Sequence, residues 1–359
     1  MHNEITISAL PEDRRGTPPA TPTFGAAFSD HMFRQRYSPD QGWHDSAIVS
    51  LERIDLHPAA AVLHYGQEIF EGLKAYRRAD GRINLFRPRD NCRRFNASAR
   101  RMVMPTVDED LHLDALRRLI TLDARWVPST PGSSLYIRPA MIASSPRLGL
   151  GASADYLHFI ITSPVGPYFS SGFEPVSVLV SESSRRAVRG GVGEAKTGGN
   201  YAASLSMSET AGQDGYNQVL WLDAIHGRYV EEVGAMNICF VYGGKHIVTP
   251  ALSGSILAGI TRASVLELAP ELDLEVSETQ IDITQALADI DSGAITEVFG
   301  CGTAAVIAPV NRLGFRGKDH VVNGGRAGPV ARTLLDTLIG IQFGTRPDTR
   351  GWITTLDAE

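Results

Sequence analysis

Apolar positions along the chain fall into two rhythms. "INLFRP" (83–88) predicts a short strand, and "RDNCRRFNASARRM" after it is polar with spaced apolar residues and predicts a helix. "LHLDALRRLITLDARWV" (111–127) repeats its apolar residues at helical spacing and predicts a second helix. "SLYIRPAMIAS" (134–144) and "DYLHFIITSPV" (155–165) are β-branched and aromatic and predict strands. Strand signals return in "VSVLVSES", "NQVLWLDA", "MNICFVYGG", "HIVTPAL" and "ITEVFGCGTAAVIAPV", with helical stretches expected near 201–212, 261–272, 284–291 and 327–342. Strands and helices mix without steady βαβα alternation, which predicts an α+β protein.

A length of 359 residues is about two domains. "GPYFSSGFEP" (166–175), dense in Gly, Pro and Ser, is the expected linker between a small α/β domain at 21–165 and a larger one at 176–359. Residues 1–20, rich in Pro and Thr, read as a flexible arm.

Composition narrows the function. A net charge of −6 offers no basic field for a nucleic acid. The N-terminal stretch has no apolar h-region, and no apolar run approaches the ~18 residues of a membrane span, so neither a signal peptide nor a membrane partner is expected. Cys92, Cys239 and Cys301 form no CxxC pair, which fits a reducing, cytoplasmic compartment. The histidines show no metal-ligand spacing, and no metal is expected.

One residue type is scarce. Of 34 basic residues only Lys74, Lys196, Lys245 and Lys318 are lysine. Lys196 sits among glycines in "GGVGEAKTGGNYAAS" (190–204). A lysine amine can form a Schiff base with a carbonyl or with pyridoxal phosphate, whereas arginine stays protonated. Glycines let the backbone pass close to a bulky ring. A lone lysine beside glycines is more often an exposed loop residue, so the reading depends on partners.

A pyridoxal ring also needs an acid at its nitrogen. "YVEEVGAMNICF" (229–240) offers Glu231 and Glu232. Neighbours on a strand face opposite ways, so only one is expected to point at a given site, and the pattern does not choose between them. "LAGITRAS" (257–264) places Gly-Ile-Thr at an expected helix start, where backbone N–H groups favour phosphate. "FGCGTAAV" (299–306) is a second Gly-Thr turn, and Arg94 could add charge. Taken singly, each turn reads equally well as an N-cap or a tight turn.

Together these segments resemble the branched-chain amino acid aminotransferases, which are fold type IV pyridoxal phosphate enzymes. The resemblance runs from "FGAAFSDHM" through "LHYGQEIFEGLKAY", "FRPRDNCRRFNASARRM", "YIRP", "GGVGEAKTGGNY", "YVEEVGAMNICF", "LAGITR" and "FGCGTAAV" to "DTLIGIQFG". It implies a two-domain fold with the active site at the domain interface, residues 176–359 forming the large cofactor-binding domain. It implies that Lys196 carries pyridoxal 5'-phosphate as a Schiff base and shuttles protons, that Tyr201 bonds the phenolic oxygen, and that Glu232 faces the ring nitrogen. Arg94, Ile260, Thr261 and Thr303 are then phosphate ligands. Ala304 and Tyr65 attend the substrate carboxylate, Phe24, Phe70 and Tyr136 wall the side-chain pocket, and Arg138 receives the distal carboxylate of glutamate. The implied reaction is ping-pong transamination between L-leucine, L-isoleucine or L-valine and 2-oxoglutarate, in a homodimer whose crossing loop lies near Leu148–Gly151.

Departures from the family pattern are Ala235, where a hydroxyl residue is common, Ala305 and Ala308, where some members hold a CxxC pair, and Ala258, where proline is common. Three rival readings compete with this one. "GLGASA" (149–154) fits a dinucleotide fingerprint, but an expected strand follows it instead of a helix. A D-amino acid aminotransferase or an aminodeoxychorismate lyase would keep the lysine and glutamate without "LHYGQEIFEGLKAY" and "YIRP". The third is a scaffold that retains the cofactor or binds a partner, and intact Lys196, Glu232, Tyr201 and Arg94 argue against lost catalysis.

Overall fold

A computed structural model of the chain describes residues 4–166 and 173–357. Of the linker expected at 166–175, residues 167–172 lie outside the described residues. The chain divides into two compact units, one of Met1–Tyr168, Ala195–Gly198 and Gly340–Glu359, the other of Phe169–Glu194 and Gly199–Ile339. Among the described residues each unit is built on one nine-stranded sheet.

In the first unit the strands run in the order Thr6–Ile7, Gly42–Ser50, His31–Ser38, Tyr156–Val165, Ser134–Ala143, Leu73–Arg77, Ile83–Phe86 and Ile353–Leu356. The short strand Glu68–Phe70 pairs beside Ser134–Ala143. Alternation along these strands decides what reaches the site. Leu73, Ala75, Leu135 and Ile137 go into a core closed by Ala115, Leu116, Leu119 and Ile120 of the helix Glu109–Leu122. Their neighbours Lys74, Tyr136 and Arg138 are therefore on the other face. Likewise Ile69 joins a second core with Cys92, Phe95 and Ala99 of the helix Pro88–Arg101, which leaves Glu68 and Phe70 on the opposite side. The helix Glu109–Leu122 starts where Asp108 accepts from the Leu111 amide, a side-chain N-cap.

Within the stretch 1–20, residues 4–16 make contacts with the rest of the first unit. Thr6 and Ile7 pair in parallel with Ala47 and Ile48. Ile5 is buried in the core. The Leu10 amide donates to His31 Nε2 at 2.9 Å and the Gly16 amide to Asp30 Oδ1 at 2.6 Å. Pro and Thr content marks the segment as irregular but does not reveal the two apolar residues and the amides that tie it down.

In the second unit the order is Val230–Val233, Gln218–Leu222, Val176–Val180, Val306–Phe315, Ile295–Gly302, Asn237–Tyr242, His246–Pro250 and Glu275–Thr279. Lys318–Val321 pairs beside Val306–Phe315. Val178, Leu220, Val233, Phe240, Val298 and Leu313 fill its core, against Ala286, Leu287 and Ile290 of the helix Ile283–Ser292. The stretch 295–310, one continuous strand signal in the sequence, is two strands. They form an antiparallel hairpin closed by the pair Gly302 and Val306. The reversal falls at Thr303, Ala304 and Ala305, directly after Gly302, within the Gly-Thr turn expected in "FGCGTAAV". Val306 takes a φ of +62°, which a β-branched residue rarely adopts.

Candidate active site

In the first unit the site is built around the lysine segment 195–198. Lys196 is pinned on both sides of its backbone. Its amide donates to Ser98 Oγ at 2.9 Å, and its carbonyl accepts from the Phe70 amide at 2.9 Å. Glu68 Oε1 accepts from the Gly198 amide and from Thr197 Oγ1. Ser98 lies one helical turn beyond Arg94, so one face of the helix Pro88–Arg101 offers both residues to this segment.

Charge gathers at the amine. Lys196 Nζ lies 4.9 Å from the centroid of the Phe70 ring. Burial, then the Arg94 and Arg138 charges, push the amine down to about 8, against the opposing pull of Glu71 and Tyr136. Arg94 is gripped by the buried Glu71, with Nε donating to Oε1 at 2.7 Å and Nη2 to Oε2 at 2.9 Å. That two-pronged pair fixes the plane of the guanidinium.

The aromatic residues expected as pocket walls do meet. Phe24 and Tyr136 pack edge to face with centroids 5.0 Å apart. Arg138 stands over the Phe70 ring at 4.6 Å and donates from Nη2 to Tyr136 Oη at 3.0 Å. Its Nε is buried with no acceptor among the described residues. Any side chain larger than hydrogen at Gly72 would overlap Tyr136 Oη, so glycine at 72 lets that ring lie against the backbone. Tyr65 is exposed, and its hydroxyl donates to the Leu148 carbonyl.

In the second unit Glu232 is buried and bound from three sides. Arg186 Nε lies 2.7 Å from its Oε2. Its Oε1 accepts from the Leu257 amide at 3.1 Å and from Asn237 Nδ2 at 3.4 Å. Asn237 Nδ2 also donates to the Leu257 carbonyl at 2.9 Å. Through these bonds Glu232 is tied to the loop that opens the helix Ile260–Leu268. That helix begins at Gly259 without a side-chain cap among the described residues, and Thr261 is buried in its first turn. Asn237 also pairs across the sheet with Cys301, two residues before Thr303 and three before Ala304 in the hairpin turn. Tyr201 lies on the short helix Gly198–Ala202.

The premise that Glu231 and Glu232 face opposite ways does not hold. Leu220 pairs with Val233, Trp221 with Glu232 and Leu222 with Val230, so Glu231 is an extra residue in a β-bulge. Ser255 Oγ donates to Glu231 Oε1, so both carboxyls reach the loop around 253–257.

The donors of each unit, taken by themselves, fit parts of a pyridine aldehyde phosphate. The first unit supplies an amine with lowered basicity, and the second a carboxylate paired with a buried arginine and uncapped amides at a helix start. Four residues that hold these groups were not legible in the sequence. Glu68, Glu71 and Ser98 act only through the folded chain. Arg186 sits in "SSRRAVRGG", in an arginine-rich protein where no spacing singles it out.

A family model for amino-transferase class IV matches residues 68–313. The branched-chain-amino-acid aminotransferase of Mycolicibacterium smegmatis is 48% identical over 342 residues, covering 94% of this chain and 93% of that protein. Branched-chain-amino-acid transaminase 1 of Bacillus subtilis is 50% identical over 327 residues, 91% of this chain and 92% of that one. Among solved structures, the branched-chain amino acid aminotransferase of Thermobaculum terrenum in its PLP-bound holo-form superimposes with a TM-score of 0.72 at 25% identity, covering 91% of this chain and 98% of that one.

Proposed function

The chain belongs to the class IV aminotransferases and acts on branched-chain amino acids, and from that premise we propose that it moves the amino group between L-leucine, L-isoleucine or L-valine and 2-oxoglutarate. Its cofactor is pyridoxal 5'-phosphate, which when bound supplies an electron sink that acidifies the α-carbon of the amino acid.

The setting of Lys196 carries this reading. Lys196 would be the covalent attachment point, with Arg94, Ile260, Thr261 and Thr303 on the phosphate, Tyr201 on the phenolic oxygen and Glu232 on the ring nitrogen. A lysine held at about 8 keeps a useful fraction of neutral amine near neutral pH, so Nζ can take a proton from the substrate Cα and give it up again. Glu232, balanced by Arg186, keeps negative charge available for a protonated nitrogen.

Two substrates share one pocket in this scheme, in a ping-pong cycle. Phe24, Phe70 and Tyr136 supply apolar surface for an aliphatic side chain, worth about 0.8 kcal/mol per methylene buried. The unmet Arg138 Nε supports a role for that residue toward the distal carboxylate of glutamate or 2-oxoglutarate. Tyr65 and the Ala304 amide are assigned to the substrate carboxylate. A homodimer in the cytoplasm is the proposed assembly and place. Exposed Leu148 and Leu150 support the first, and three buried cysteines without a disulfide support the second.

Replacing Lys196 by Ala tests the reading. The purified variant should lack both the visible absorbance of bound cofactor and turnover of leucine with 2-oxoglutarate. A variant that keeps turnover refutes the assignment.

A further inference from the structure

The bulge at Glu231 brings two carboxyls to one loop. Val230 and Val233 both enter the core, while Glu231 and Glu232 are both buried and both held by the loop around 253–257. A bulge re-aims side chains in this way. Arg186 bears on both carboxyls, and Arg185 adds a weaker pull on Glu231. Arg186 meets Glu232 Oε2 through Nε at 2.7 Å, and its Nη2 donates to the Ser255 carbonyl at 2.5 Å and the Gly193 carbonyl at 3.5 Å. Ser255 therefore links the three: its carbonyl accepts from Arg186, and its hydroxyl donates to Glu231 and lies 2.8 Å from Ser253 Oγ.

We infer that Glu231 is a positioning residue for Glu232: it fixes the 253–257 loop through Ser255 and leaves the charge of Arg186 to its neighbour. The inference rests on the reading of Glu232 as the carboxylate for the cofactor's ring nitrogen. The geometry favours a neutral Glu231: its Oε2 is buried with no hydrogen-bond partner among the described residues, and burial costs the ionised carboxylate more than the acid. Burial pushes its pKa up against the Ser255 bond and the Arg186 and Arg185 charges, with Asp223 adding to the rise. Arg189, His226 and Tyr229 border the small cavity that Glu231 also lines. Were Glu231 ionised, Arg186 would face two carboxylates, and Glu232 would lose its matched counter-charge.

The test uses E231L, E231Q and E232Q. Cofactor affinity is measured by reconstituting apoprotein with pyridoxal phosphate, and the pH midpoint of the visible absorbance is measured on each holoprotein. E231L removes the acceptor for Ser255 and should weaken cofactor binding about tenfold and displace the midpoint by roughly one pH unit. E231Q matches the protonated acid in shape, still accepts from Ser255, and should restore both values to within about twofold. Damage in E231Q equal to that in E231L, or no change in E231L, overturns the inference. Titration of the wild-type apoprotein by carbon NMR of labelled glutamate gives a check that needs no variant to fold. Glu231 should hold its proton above the ordinary carboxyl range, and titration within or below that range overturns the inference. The underlying reading fails separately, through an E232Q protein whose midpoint and affinity match wild type.

Discussion

Single residues do most of the chemical work here, and their settings give measurable consequences. The Lys196 amine loses its proton near pH 8 because burial and two arginines disfavour its charge. Trapping of pyridoxal on the apoprotein by cyanoborohydride, read at the peptide bearing Lys196, should rise through about pH 8 and then level off. An ordinary lysine would keep rising toward pH ~10.4. Replacing Arg94 by Met removes a lowering charge and unpairs Glu71, which pulls the other way, so the midpoint should move to higher pH. The role proposed for Arg138 predicts a split between the two substrates. Replacing it by Met should lower kcat/KM for 2-oxoglutarate by about 10- to 100-fold, the worth of a charge-assisted bond, and change that for leucine far less. Equal losses for both would deny it a part in discrimination. At this scale the sequence was most legible, because Lys196, Glu232 and Arg94 sit in long motifs that name them. It said nothing of Arg186 or Glu71, since a buried counter-charge from a distant segment leaves no mark on local spacing.

Elements position those residues by alternation and its interruptions. Odd-numbered residues of Ser134–Ala143 enter the core, and that alone puts Tyr136 and Arg138 on the site face. Such periodicity can be read from sequence, and the strands 134–143 and 156–165 fell where it predicts. The bulge at Glu231 could not be read, because it follows from the register of Gln218–Leu222 and from no turn residue nearby. The hairpin within 295–310 was half legible: the Gly-Thr pair marks its turn, while the apolar residues on both sides read as one strand. Polar interruptions in "HMFRQRYS" likewise mask the strand His31–Ser38. The start of the helix Ile260–Leu268 yields a test of how closely an element must sit. Gly259 has an ordinary φ of −69°, yet a Cβ there would overlap Asn237 Oδ1. Gly259→Ala should therefore destabilise the apoprotein by about 1–3 kcal/mol and weaken cofactor binding, through the side chain that holds both Glu232 and Leu257. Gly199→Ala, which meets nothing within 4 Å, should stay within roughly 0.5 kcal/mol of wild type. Equal effects in thermal melts of the two would refute a packing role for Gly259.

Over the whole chain, segments from both ends complete the sheet of the first unit. The strand Ile353–Leu356 pairs with Ile83–Phe86, and Thr6–Ile7 pairs with Gly42–Ser50. Composition does not show these N-terminal contacts, because it registers Pro and Thr but not where an amide finds its acceptor. The attachment centres on His31. Its Nδ1 lies 2.6 Å from Asp123 Oδ1, and its Nε2 accepts the Leu10 amide, so the ring serves as donor to the acid and acceptor to the arm. That assignment fixes a neutral ring with its proton on Nδ1. Removing residues 1–16 uncovers the pocket of Ile5 and leaves His31 Nε2 without its donor. The loss should be at least about 2 kcal/mol, from one buried aliphatic side chain and the bonds that go with it. None of the contacts to Lys196 described above involves the arm, so the truncated protein should keep its kcat at 25 °C while its thermal inactivation moves to lower temperature. Asp123→Ala breaks the same attachment from the other end and should lower stability by a similar amount. If truncation lowers kcat and leaves the melting temperature in place, the arm serves the reaction instead of the fold.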